Sequence, residues 1–236
     1  MSQRGYAESI LDRFGFTDCH PTLTPASDAI ITGKSTGLEK FEMNVIVGAL
    51  LWLSLNTRPD ISYAVARLAQ TVANPTAESY SMAARILRYI KGTLDYAISF
   101  TGSARQPIQA YADADYAGDN DRKSQSGYIF MFAGGPLAWN SKKQSCVAIS
   151  TAESEIVAAS ACAQEALWFT SLLTELGMAP SQPIVIHEDN AGAIVLAETS
   201  VTGKRTKHID VRYHFINDAV KQNKIALRKI DKEKYC

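Results

Sequence analysis

The sequence predicts an α/β protein in which a mixed sheet flanked by helices follows a smaller, mainly helical region. Three observations predict it. Apolar residues recur at three and four positions through the first part of the chain, the helical period. The period falls to two just after Pro107. Beyond that point the elements read strand, strand, strand, helix, strand, helix, helix, strand. A chain of 236 residues with 46% apolar and 20% charged residues has material for one large or two small cores, and is neither collagenous nor a disordered tail. The segment 101–107, rich in small and turn residues, marks the expected boundary, giving regions 1–103 and 104–236.

In the first region a short amphipathic helix over 6–14 ends at Gly15. Pro21, Pro25, Gly33 and Gly37 punctuate a polar connector expected to be exposed. Helices are predicted over 43–55, 60–72 and 76–90. The breaks are Thr57-Arg58-Pro59-Asp60 and Asn74-Pro75-Thr76, where proline stops one helix and a small polar residue can cap the next. Residues 92–100 suit an extended piece.

In the second region Ile108, Ala110, Ala112 and Ala114 alternate with Gln109, Tyr111, Asp113 and Asp115, a strand with two acids on one face. A second strand is predicted at 128–132 and a third at either 137–139 or 144–149, as an antiparallel meander. Ser150 opens a long helix ending at Gly177. A buried strand over 183–188, helices over 190–197 and 208–221, and a last strand over 225–230 complete the order.

Charge and cysteine usage narrow the function. Twenty-four Lys and Arg balance 24 Asp and Glu, which argues against coating nucleic acid by net charge and leaves room for a local basic path beside an acidic site. Cys19, Cys146, Cys162 and Cys236 form no Cys-x-x-Cys pair and are read as reduced thiols. No apolar run is expected to approach the roughly 20 residues that cross a bilayer, and the first residues lack a secretory apolar stretch. An intracellular protein without membrane association is the expectation.

The acids carry the chemistry. A Mg²⁺ site for phosphoryl transfer wants carboxylates converging from different elements, because hard cations prefer oxygen ligands. Asp113 lies in an otherwise apolar strand, where burying an unpaired charge is costly; the alternative is an exposed strand-face acid. Asp115 shares its face and ranks second. Ser150-Thr151-Ala152-Glu153 has capping-box spacing, which gives Glu153 a structural task. Glu155 instead heads the stripe Glu155, Ala159, Cys162, Ala166, Phe169, Leu173, Leu176, and an acid on such a face is either paired or bound to a cation. Asp189 ends a strand and precedes a helix, where ligands commonly bind, though it and Asn190 both suit a helix cap.

Several ordered blocks carry a family resemblance. They include Thr57-Arg58-Pro59-Asp60-Ile61, Arg88-Tyr89-Ile90-Lys91-Gly92-Thr93, Tyr111-Ala-Asp113-Ala-Asp115-Tyr-Ala-Gly118, Trp139-Asn-Ser-Lys-Lys-Gln144, Ser150-Thr-Ala-Glu-Ser-Glu155, Asp189-Asn190 and Arg205-Thr-Lys-His-Ile-Asp210. Over nearly its whole length the chain resembles the C-terminal part of a copia-type LTR retrotransposon polyprotein: the connection region of reverse transcriptase, then ribonuclease H. The resemblance implies a ribonuclease H-like sheet preceded by a connection domain. It also implies Asp113, Glu155 and Asp189 as catalytic and metal-binding residues, two Mg²⁺ ions with Mn²⁺ as a substitute, and two-metal hydrolysis of the RNA strand of an RNA–DNA hybrid. The polymerase fingers and palm of a longer polyprotein are the implied protein partner, and a cytoplasmic particle or the nucleus the implied location. A fourth aspartate is implied soon after the last strand, where this sequence stops at Lys234-Tyr235-Cys236. The ribonuclease H region is therefore read as truncated, with Asp210 or Asp231 as substitute ligands.

Lys142, Lys143, Lys204, Arg205, Lys207 and His208 are the expected nucleic-acid contacts, with Arg122-Lys123 a weaker cluster; ordinary solvated surface is the alternative. Two rival functions remain open at this level: a catalytically inactive ribonuclease H-like binding module, and a structural connection domain. Oligomeric state is not legible in the sequence.

Overall fold

The structure is a computed structural model that describes residues 1–27, 35–101, 107–118, 121–198 and 207–230. It divides into two compact units, Met1–Ser99 and Phe100–Cys236.

The first unit is helical: α1 (Arg4–Phe14), α2 (Met43–Asn56), a 3₁₀ turn (Pro59–Ile61), α3 (Ser62–Ala69) and α4 (Ala77–Gly92). Its core draws Ile10, Phe14, Ile46, Leu50, Leu68 and Leu87 from all four helices. The helix expected over 60–72 is shorter. Pro59 opens a 3₁₀ turn before α3, and beyond Ala69 the backbone tightens into turns in which Thr71 donates both its N–H and its hydroxyl to the Leu68 carbonyl. Thr76 caps α4 in a box with Ser79, as the break at Pro75 predicts. The connector is only partly exposed: Phe16 is buried, and Arg85 and Arg88 donate to the carbonyls of Thr24 and His20. Residues 92–100 form no strand; Ile98 instead exchanges backbone hydrogen bonds with Met1. Arg58 is buried, forks onto Asp60, and donates to the Thr93 carbonyl and hydroxyl. The guanidinium is thereby satisfied on both sides.

The second unit is a five-stranded sheet with β1 (Gln109–Asp115), β2 (Gln125–Phe132), β3 (Gly135–Lys143), β4 (Ile184–Glu188) and β5 (Ile225–Lys229), joined by α5 (Thr151–Glu175), α6 (Ala191–Glu198) and α7 (Lys207–Lys221). The spatial order is β3-β2-β1-β4-β5. β1, β2 and β3 pair antiparallel, whereas β1, β4 and β5 are parallel. The third strand therefore covers 137–139 and not 144–149: the Gln144 N–H to Ser124 carbonyl bond ends the β2–β3 ladder, and residues 145–149 bend toward the start of α5.

α5 packs on β1, β2 and β4 and against α7. Glu155, Ala159, Cys162, Ala166 and Phe169 are buried as the stripe predicts, but Leu176 caps the helix and is exposed. Ile156, Ala158 and Ala163 are buried too, since the helix is covered on more than one side. By length and composition α5 is apolar enough to cross a bilayer, so the expectation that no run approaches that length does not hold for it. Its apolar surface is used here in the core.

Candidate metal centre

The parallel register of β1 and β4 builds the centre. Tyr111 pairs with His187, so Asp113 and Asp189, each two residues further along, arrive at the same end of neighbouring strands. α5 starts there and brings Glu155 over that end. Carboxylate oxygens of Asp113, Glu155 and Asp189 all lie within 4.8 Å of one another. Three of the sequence-predicted acids are thus gathered, each from a different element.

Their environments differ. Asp113 is exposed and Asp189 half-buried, whereas Glu155 is only 6% exposed. The burial cost argued from the sequence therefore does not apply to Asp113: its side chain lies on the accessible side, and strand register is what positions it. Asp115 is exposed and outside the group; its carboxylate lies against Gly118, where a Cβ would fall 2.6 Å from Oδ2.

Glu153 and Glu155 separate as the spacing predicts. The Ser150 hydroxyl accepts the Glu153 N–H at 3.2 Å, and Glu153 Oε2 accepts the backbone N–H of Ile149 at 2.9 Å, one residue earlier than the usual capping box. Glu155 is left to face the sheet. At the end of β4 the cap falls to Asn190, whose Oδ1 accepts the Ala193 N–H, and Asp189 joins the acids.

Sequence reasoning missed two residues. Glu188 is 1% exposed and lies on the core face of β4 with Ile184 and Ile186. The period-two pattern of Ile184, Ile186 and Glu188 was the available signal. Gln144 is the other: its side-chain amide donates to the Ser154 carbonyl at 2.9 Å and to the Ser126 hydroxyl at 2.8 Å. It ties the first turn of α5 to β2, next to Glu155.

Crowding of acids in a dry place raises their pKa values. Burial, then the charges of Glu188, Asp113 and Asp189, pushes Glu155 up to about 9, with the Ala114 backbone amide offsetting part of the rise. Burial also pushes Glu188 up to about 8, where Asp189 and Asp113 add to it and the Asn190 N–H opposes it. Burial, with the Glu188 and Glu165 charges behind it, raises the Cys162 thiol as well. This thiol is therefore not an activated nucleophile.

The expected basic contacts fare unevenly. Lys142 is exposed on β3. Lys143 pairs with Asp121 at 2.9 Å, and that hydrogen bond holds the Asp121 carboxyl below its ordinary value. Lys204 and Arg205 lie outside the described residues, as does Asp231; Lys207 and His208 open α7, with side chains outside them too. Asp210 stands 3.5 Å from His214 on α7 and is not part of the acid group.

A mixed sheet ordered β3-β2-β1-β4-β5, a long helix across it, and carboxylates converging from β1, the end of β4 and the start of that helix define a ribonuclease H-like α/β protein. Over 98% of its length the chain is 39% identical to the retrovirus-related Pol polyprotein from transposon TNT 1-94 of Nicotiana tabacum, and over 97% it is 40% identical to that from transposon RE2 of Arabidopsis thaliana. The chain belongs to the family of copia-type, retrovirus-related Pol polyproteins. It spans 18% and 16% of the lengths of those two relatives. Among solved structures, LC11-RNase H1, isolated from compost, superposes on 54% of this chain and 86% of its own at 14% identity and a TM-score of 0.42. The strand order, not that superposition, carries the fold assignment. No family model matches the chain.

Proposed function

We propose that this chain cleaves the RNA strand of RNA–DNA hybrids, as the ribonuclease H part of a longer reverse transcriptase polyprotein. The observation that carries the reading is the approach of Asp113, Glu155 and Asp189 to within 4.8 Å, with Glu155 Oε2 buried and without a hydrogen-bond partner. Like charges so close repel one another, and a buried carboxylate oxygen left unsatisfied is costly; a divalent cation relieves both. All-oxygen donors suit Mg²⁺, with Mn²⁺ as a substitute. The residues present fit a divalent cation, and the proposed hydrolysis takes two, held by Asp113, Glu155 and Asp189. Bound there, the ions supply an activated water and charge neutralisation at the scissile phosphate.

The chain's own groups do the positioning. Glu155 is fixed by the capped first turn of α5 and by Gln144, so the inner side of the centre is rigid. Asp113, on the exposed side, is where a phosphodiester backbone has access. Lys142 is available for a phosphate contact that orients the hybrid without reading its sequence. No side-chain nucleophile is needed. The fingers and palm of the parent polyprotein are the proposed protein partner, and a cytoplasmic particle or the nucleus the proposed location.

The test is cleavage of an end-labelled RNA–DNA hybrid in Mg²⁺ or Mn²⁺ by the parent chain, Asp113→Asn and Glu155→Gln. Cleavage by the parent and its loss in both variants supports the reading. A parent that binds hybrid without cutting it removes the reading in favour of a binding module.

A further inference from the structure

We propose that Glu188 is a fourth acidic group of this centre, a cation-holding and positioning carboxylate that lies deeper than Glu155 and tightens divalent-cation binding. The inference rests on the reading that Asp113, Glu155 and Asp189 hold divalent cations, and it adds a residue to that site.

Three observations carry it. The alternation along β4 turns Glu188, with Ile184 and Ile186, to the face that α5 covers, while Asp189 joins Asp113. Glu188 is 1% exposed, and among the described residues no Lys, Arg or His pairs with it. One of its oxygens accepts the Asn190 N–H at 3.2 Å, while Oε2 has no partner, and Glu155 Oε2, also buried, has none either. Neither of these two buried oxygens receives a hydrogen bond from a donor group of the protein. A cation in the acid group gives both orphaned oxygens something to bind or to orient toward.

The position is otherwise hard to explain. β4 continues its apolar face as Ile184, Ile186 and then Glu188, where a third apolar residue would pack against α5 at no electrostatic cost. An acid there destabilises the metal-free fold by its charge and by repelling Glu155. That cost is offset when a cation is bound.

The experiment measures Mn²⁺ binding to the full chain by electron paramagnetic resonance, with melting followed in chelator and in Mn²⁺. Parent, Glu188→Gln and Asp115→Asn are compared. Expected are a weakening of Mn²⁺ binding by about tenfold or more in Glu188→Gln, a melting temperature in chelator equal to or above the parent's, and unchanged affinity in Asp115→Asn. Equal Mn²⁺ affinity and stoichiometry in parent and Glu188→Gln overturns the inference while the cation-site reading stands. Absence of Mn²⁺ binding by the parent overturns that reading itself. If Glu188→Gln fails to fold in chelator, Glu188→Asp decides: weaker Mn²⁺ binding upholds the inference, and parental affinity overturns it.

Discussion

Gln144 donates its side-chain amide to the carbonyl of Ser154 at 2.9 Å, one residue before the buried acid of the centre. A strand end and a helix start, ten residues apart in sequence, are thereby joined at the point where Glu155 enters the site. The same amide reaches the Ser126 hydroxyl on β2, so the helix is fixed to the sheet as well as to the loop before it.

Gln144→Ala should therefore loosen Glu155 without touching any cation. One buried and one partly buried hydrogen bond are lost, which costs about 1 to 3 kcal/mol of unfolding free energy. Cation affinity and hybrid cleavage should fall with it, by about tenfold, as when a group that orients a ligand is removed. Urea unfolding and Mn²⁺ titration on the same variant check this. Lost stability with parental cation affinity would mean that α5 holds Glu155 in place without Gln144.

Stability in chelator should decline with rising pH. The folded-state values of about 9 for Glu155 and about 8 for Glu188 stand above the roughly 4.3 of an unfolded glutamate. Between those limits the folded chain holds more protons than the unfolded one, so unfolding free energy decreases as pH rises, and it levels off once both groups are ionised in the folded chain. Melting temperature measured in chelator from about pH 5 to about pH 9 should drop, and Glu155→Gln with Glu188→Gln should flatten the drop. A parent curve that rises over this range would contradict the acid crowding described for the centre.

Much of this centre was legible before any coordinate, for reasons that differ by residue. Glu155 is legible because helical periodicity distinguishes a core-facing acid from a capping one. Asp189 is marked in the sequence by its place at a strand end before a helix, a position that suits ligand and cap equally, and in the structure the cap falls to Asn190. The burial argument for Asp113 does not hold, since its side chain is exposed and only strand register brings it to the others. Register between strands distant in sequence is set by long-range pairing, which local pattern does not encode. Gln144 was invisible on the same ground: its partners Ser126 and Ser154 belong to other elements. The helix predicted over 60–72 is shorter in the structure because the apolar period continues past Ala69, where turn hydrogen bonds replace helical ones.

The first unit has its own test in Arg58. Its side chain is 4% exposed, forked onto Asp60 and bonded to Thr93. Arg58→Ala leaves the Asp60 carboxylate without its cation and the Thr93 carbonyl without a donor, and should cost about 3 kcal/mol. Asp60→Asn keeps an oxygen that accepts from the guanidinium and leaves the Arg58 bonds to Thr93 in place, so it should cost less. Chemical unfolding followed by far-ultraviolet circular dichroism reads both. If the order is reversed, desolvation of the guanidinium, and not its pairing, dominates this site.

Asp189 and Asn190 are neighbours with different tasks, and substitution should separate them. Asn190 Oδ1 accepts the Ala193 N–H at the start of α6, so Asn190→Ala should cost about 1 kcal/mol, with Mn²⁺ affinity kept near the parent's. Asp189→Asn removes a carboxylate from the acid group while leaving that cap in place. It should weaken Mn²⁺ binding and hybrid cleavage strongly, and in chelator it should not lower the melting temperature, because one of the mutually repelling charges is gone. The two variants thus move stability and cation affinity in opposite patterns. If both lose affinity equally, the helix start and not the Asp189 carboxylate governs cation binding at this end of β4, and the division of labour between the two side chains is wrong.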